Sequence, residues 1–198
     1  MIATFQPIEQ SLRAQGYTTI CGVDEAGRGP LAGDVFAAAV ILPEKYDLPG
    51  LADSKKLTHK QCEVLFEQIQ QQAVAWAIAS ASLEEIAQLN ILHAAMLAMQ
   101  RAVNALAMPA DYALIDGNRL PALEIPAAYI IKGDGLCASI AAASVLAKVA
   151  RDRHMVALDK LYPGYGLAKH KGYPTAAHYA ALAELGPCAV HRQSFRLR

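Results

Sequence analysis

Several familiar signals are missing from this sequence. Its 198 residues include four cysteines, and none stands in a C-x-x-C pair. That spacing excludes a zinc ribbon and argues against a disulfide frame. The thiols of Cys21, Cys62, Cys137 and Cys188 read instead as scattered single cysteines of a reducing compartment. No charged n-region followed by an apolar stretch opens the chain, so no signal peptide is expected. The alanine-rich run near 137–150 carries Ser139, Ser144 and Lys148 and is too short to span a bilayer. A soluble cytoplasmic protein is the expectation. There is no internal repeat or low-complexity linker, which makes a single domain over 1–198 the economical reading. Net charge is absent too, with 18 Lys and Arg against 18 Asp and Glu.

The zero total hides an asymmetry. Residues 1–147 hold nine Lys/Arg against fifteen Asp/Glu, while residues 148–198 hold nine against three and four of the six histidines. An acidic body with a basic C-terminal part, about 150–198, suits a metal site beside a phosphate-binding face; a solvated basic helix face would give the same count. The chain is 54% hydrophobic and 18% charged, enough for a packed core.

The chain is organised around residues 20–42. Ile20 to Val23 is apolar or small and predicts a strand that ends on two adjacent acids, Asp24 and Glu25. The loop Ala26-Gly27-Arg28-Gly29-Pro30 follows, and Val35 to Leu42 predicts the next strand. Two acids at the end of a buried strand repel and lose hydration unless a cation sits between them. Hard oxygen ligands suit magnesium or manganese. Glycines let the backbone approach a ligand with no Cβ in the way.

Residues 1–16 form a polar lead-in. Downstream, Thr58 can cap a helix running to about Gln72 with Leu65, Phe66 and Ile69 inward. Ala73 to Ala81 predicts a third strand. Ser82 with Glu85 is a capping box opening a helix with a continuous apolar stripe from Ile86 through Leu89, Leu92, Met96, Met99 and Val103 to Leu106, in which His93 reads as a core histidine. Short strands at 112–115 and 127–131 precede a long helix, roughly Ala138 to Leu161. Residues 162–175 predict a surface loop, and a last helix covers about 176–185. Strands and helices in this order predict an α/β fold with a mixed central sheet.

Asp24 with Glu25, Asp116 and Asp134 each end an apolar strand, with glycine close behind. In open α/β sheets, sites form where neighbouring strands end at one rim. Asp116-Gly117 or Asp134-Gly135 alone would pass as a turn. As a set with Asp24 and Glu25, the four predict one or two divalent ions that activate water for phosphodiester cleavage.

DEAGRGP at 24–30, DSKKLT at 53–58, LIDGN at 114–118, KGD at 132–134, ASIAAASVLAKVARDR at 138–153, HKGYPT at 170–175 and HRQSF at 191–195 together resemble prokaryotic ribonuclease HII. The resemblance covers nearly the whole chain, in order. It implies a ribonuclease H-like fold, a mixed central sheet flanked by helices with a C-terminal helical region. It implies a metal-dependent endoribonuclease that cuts the RNA strand of RNA–DNA hybrids and cuts at ribonucleotides embedded in duplex DNA. The products would carry 5′-phosphate and 3′-hydroxyl ends, and the cofactor would be Mn2+ or Mg2+. By resemblance Asp24, Glu25, Asp116 and Asp134 are the catalytic metal ligands. Gly27, Arg28 and Gly29 match the segment that reads the ribose 2′-hydroxyl, and Tyr173 matches the tyrosine at the RNA-to-DNA junction. The stretch Gly135-Leu136-Cys137 departs from the more polar run expected after Asp134.

The chemistry of these residues agrees. The 2′-hydroxyl is both donor and acceptor and is the local mark of RNA. A Gly-Arg-Gly backbone can bond to it, while Arg28 could equally pair with a neighbouring acid. An aromatic at 173 suits stacking on a sugar or base, or anchoring a loop. Lys55, Lys56, Lys148, Lys169, Lys171 and Arg192 are candidate phosphate contacts, and Ser144 lies one helical turn from Lys148. No membrane contact is expected, and a monomer is the simplest state. Two rivals remain open: a metal nuclease or phosphotransferase acting on DNA or nucleotides, and a non-catalytic nucleic-acid binding module.

Overall fold

The computed structural model describes residues 5–51 and 57–197. Lys55 and Lys56, with most of the DSKKLT motif, lie outside the described residues.

Among the described residues the sheet has five strands: β1 (Ile20–Ala26), β2 (Val35–Ile41), β3 (Ala75–Ala81), β4 (Tyr112–Asp116) and β5 (Ala127–Ile130). Their order is β3-β2-β1-β4-β5. The β1, β2 and β3 neighbours run antiparallel, and β4 and β5 run parallel to β1. The sheet is therefore mixed, as predicted, with β1 at its centre.

Around it, among the same residues, stand six helices: α1 (Ile8–Ala14), α2 (His59–Gln72), α3 (Leu83–Asn104), α4 (Ala138–Leu161), α5 (Leu167–His170) and α6 (Ala176–Leu185). Period-two alternation in β2 divides the core. Val35, Ala37, Ala39 and Ile41 face α3, while Ala38 and Val40 face α2 and α4. The alanine run of α4 permits close approach to β1, closest at Gly22. A Cβ there would stand 2.2 Å from Ile140 N and Ser139 C. Only glycine admits α4 at that distance, and α4 supplies Ser144, Lys148, Arg151 and Asp152 to the pocket at the strand ends.

The helix starts follow their caps. Thr58 and Ser82 each form a capping box, with Gln61 and Glu85 respectively. Four expectations need correction. Residues 8–14 of the supposed lead-in are helical. The stripe on α3 is not continuous: Asn90 adopts φ 66° and its Oδ1 accepts from Leu92 and His93 N–H, capping a second helical segment. That kink leaves Leu89 40% exposed and brings the exposed His93 against Asn90 rather than into the core. Residues 162–175 are not merely a surface loop. Tyr165 and Leu167 are buried in a third cluster with Leu31, Ala32, Met155, Leu182 and Val190. This cluster binds the C-terminal region to the loop after β1.

Candidate active site

Parallel pairing sets Val23 beside Ile115. The next residues along are Asp24 and Asp116, so two carboxylates leave the sheet at adjacent strand ends. Asp24 is buried; its Oδ1 accepts from Glu25 N–H at 2.7 Å, and Ser144 on α4 hydrogen-bonds to it. Asp116 Oδ1 accepts from Gly133 N–H at 2.7 Å. Glu25 Oε1 lies 3.3 Å from Arg28 Nη1. Burial, then the charges of Glu25 and Asp116, push the Asp24 carboxyl well above the usual carboxylate range. Burial also raises Glu25, against the opposing pull of Arg28.

These acids line a pocket of about 370 Å³ with Gly27, Arg28, Gly29, Ser144, Lys148, Arg151, Asp152, Lys171 and Tyr173. The loop wall is held by two buried arginines. Arg151 donates to the carbonyls of Ala32, Asp34 and Lys171 at 3.1–3.3 Å. Arg192 donates to Gly27, Arg28, Pro30, Gly33 and Asp34 carbonyls, the shortest at 2.7 Å. Two guanidiniums thus draw the carbonyls of this turn inward. Gly27 sits at φ +100°, and a Cβ on it would lie 2.0 Å from Arg151 Nε. A Cβ on Gly29 would stand 3.6 Å from the Tyr173 ring, which is 47% exposed at the pocket.

Most residues singled out in the sequence therefore meet at one place. Lys148 does so paired with Asp152 at 2.8 Å. Asp134 is adjacent rather than lining: it is buried in the 3-10 turn Gly133–Gly135, next to the glycine that holds Asp116. Arg192 is a correction. Its side chain is buried and its donors are spent on loop carbonyls, so it shapes the loop from below and does not face a phosphate. Sequence reasoning missed Arg151 and Asp152, although they lie one turn beyond Lys148 on the helix bearing Ser144, and that spacing was a usable signal.

The donors are hard oxygens, and the adjacent Asp24 and Glu25 carboxylates repel each other unless a cation sits between them, which fits a divalent cation. Among the described residues, no three His, Cys, Asp or Glu side chains form a cluster tight enough to enclose an ion. The carboxylates share a rim, each tied to a partner of its own.

A mixed five-stranded sheet with acids at parallel strand ends, beside a glycine loop, is the layout of a ribonuclease H-like nuclease. The chain is similar in fold to the ribonuclease H2 of Pyrococcus horikoshii OT3, with TM-score 0.75 at 25% identity over 91% of this chain and 95% of that one. It is similar also to Bst-RNase HIII solved in complex with Mn2+, with TM-score 0.74 at 18% identity over 97% and 71%. The model of the family described as Ribonuclease HII matches residues 21–198. The Ribonuclease HII of Laribacter hongkongensis (strain HLHK9) is 60% identical over 178 residues, 89% of this chain and 90% of that protein. The chain belongs to the ribonuclease HII family, the divalent-metal-dependent endonucleases that hydrolyse the RNA strand of RNA–DNA hybrids. Among the described residues, no helix is long and apolar enough to cross a membrane.

Proposed function

We propose that Asp24, Glu25, Asp116 and Asp134 hold one or two Mn2+ or Mg2+ ions, and that the chain cuts both hybrids and duplex DNA containing single ribonucleotides. The observation that carries this reading is the shared pocket of Asp24, Glu25 and Asp116 with the 27–29 loop and Tyr173. The complex of Bst-RNase HIII with Mn2+ supports manganese as one candidate. Bound divalent ions supply an ionised attacking water at neutral pH and stabilise the leaving oxygen.

The protein's own part is positional. Arg28 and Lys148 offset phosphate charge at the pocket mouth, and Ser144 keeps Asp24 aimed. The backbone of 27–29, fixed by Arg151 and Arg192, meets the 2′-hydroxyl, and the Tyr173 ring contacts the neighbouring sugar. Cleavage leaves 5′-phosphate and 3′-hydroxyl ends. We further infer one domain, a monomer and a cytoplasmic setting; the last suits four cysteines of which none is in a disulfide.

The test is Asp116→Asn on a duplex carrying one ribonucleotide, in magnesium and in manganese. Loss of cleavage is expected, and full activity would refute the metal role. Equal cleavage of an all-DNA duplex by the unaltered protein would remove the sugar-reading role of the loop.

A further inference from the structure

Three histidines from the two C-terminal motifs and the helix between them meet beneath Tyr173, outside the carboxylate site. His170 stacks on His178 with ring centroids 4.3 Å apart. His178 Nε2 lies 3.1 Å from His191 Nε2. His178 and His191 are both buried.

The shortest contacts of each ring set one proton arrangement. The Tyr173 carbonyl can only accept, so His178 Nδ1, 3.0 Å away, carries hydrogen. In a neutral ring its Nε2 is then bare and must accept from His191 Nε2–H. That leaves His191 Nδ1 bare, accepting from Cys188 N–H at 3.0 Å, the shorter of its two contacts with the Cys188 backbone; the Cys188 carbonyl lies at 3.3 Å. His170 is fixed the same way: Nδ1 accepts from Gly172 N–H at 3.2 Å and Nε2 donates to the Tyr165 carbonyl at 2.8 Å. The three assignments are mutually consistent with all rings neutral.

We propose that His178 and His191 are positioning residues for Tyr173, a one-way hydrogen-bond chain running from Cys188 N–H through both imidazoles to the Tyr173 carbonyl. The inference rests on the reading that Tyr173 contacts the substrate sugar. The carbonyl receives a second bond from Thr175 N–H at 2.8 Å, while Tyr173 N–H donates to His170 O at 2.9 Å. The backbone of this one residue is thus bound on both sides. The adjoining Gly172 carbonyl accepts from Leu31 N–H at 2.7 Å, which couples the segment to the loop after β1. A proton added to His178 would set two N–H donors face to face at 3.1 Å and break the chain.

The groups facing the pair are the His170 ring, the Cys188 thiol 3.2 Å from His191 Nδ1, and the Tyr165 ring 4.9 Å from His191. Burial first, then neighbouring imidazole, lowers both histidines below the ordinary 6.5. The chain is therefore intact at neutral pH and lost in acid.

Two measurements test this. Nitrogen NMR of the whole protein at neutral pH should find His178 protonated at Nδ1 only and His191 at Nε2 only; reversed tautomers or a cationic ring would overturn the proposal. A double-mutant cycle on a single-ribonucleotide duplex gives the second. His178→Ala should lower kcat/KM about tenfold, the worth of one positioning hydrogen bond, but less than about twofold when Tyr173→Ala is already present. His178→Asn, whose amide still donates to the Tyr173 carbonyl, should recover part of the loss and serves if the alanine variant fails to fold. Equal losses in both backgrounds would overturn the proposal alone. Wild-type cleavage by Tyr173→Ala would overturn the sugar-contact reading and the proposal with it.

Discussion

Gly27→Ala is the sharpest perturbation the site offers, because two independent constraints meet at one hydrogen atom. The residue sits at φ +100°, and an L side chain there costs about 1–2 kcal/mol. The new Cβ would also lie 2.0 Å from Arg151 Nε and 2.3 Å from its Cδ. A flexible arginine end would swing aside at little cost, but this one is buried and tied to three carbonyls. Overpacking against it adds about 1–3 kcal/mol. The expected destabilisation is about 2–5 kcal/mol, read as a lower urea midpoint at unchanged slope. Because the loop must shift by something near an ångström, cleavage of a single-ribonucleotide duplex should fall about a hundredfold. Mn2+ affinity should change far less, since no carboxylate is touched. A variant with wild-type cleavage and an unmoved midpoint would refute the packing argument. Equal losses in cleavage and metal affinity would refute the claim that the loop reads sugar.

Other expectations follow from the same geometry. Asp24→Asn should abolish cleavage yet stabilise the metal-free protein. The Asp24 carboxyl is raised above its ordinary 3.8, so the unfolded chain ionises first and metal-free stability falls as pH rises past that value. The gain should read at neutral pH as about 2–4 °C in Tm per kcal/mol for a chain this size, and should vanish in acid. Arg192→Lys should cost about 3–5 kcal/mol in urea unfolding, because buried carbonyls lose their partners, while leaving the salt dependence of hybrid binding unchanged. Lys148→Ala should instead reduce the slope of log affinity against log salt by about one. Gly22→Ala should lower stability by about 3 kcal/mol or more, seen as loss from the soluble fraction, because its Cβ would meet the α4 backbone.

What was legible in the sequence was local. The cap at Thr58, the capping box at Ser82, the apolar run of β2 and the ends of α4 all depend on neighbours within a few residues, and they appear where the pattern put them. The carboxylates at 24, 25 and 116 meet because parallel pairing of β1 and β4 brings strand ends together, a rule that holds without coordinates. Burial of charge was not legible. Arg192 looked like a phosphate contact because a cation near a basic C-terminus ordinarily stays in water; only the convergence of carbonyls from residues 27–34 makes its interior place possible. The histidine chain was hidden for the same reason, since its acceptor belongs to one motif and its donor to another. Asn90 escaped notice because the apolar spacing runs through it unbroken, while its side chain caps a new helical segment.

The central claim is that separate strand ends supply one divalent-ion site. Titration calorimetry with Mn2+ on the whole protein tests it most directly. Binding should be detected for the wild type and weakened at least about tenfold by each of Asp24→Asn, Asp116→Asn and Asp134→Asn, with Arg192→Lys far less affected. Unchanged Mn2+ affinity in the Asp24 and Asp116 variants would contradict the account.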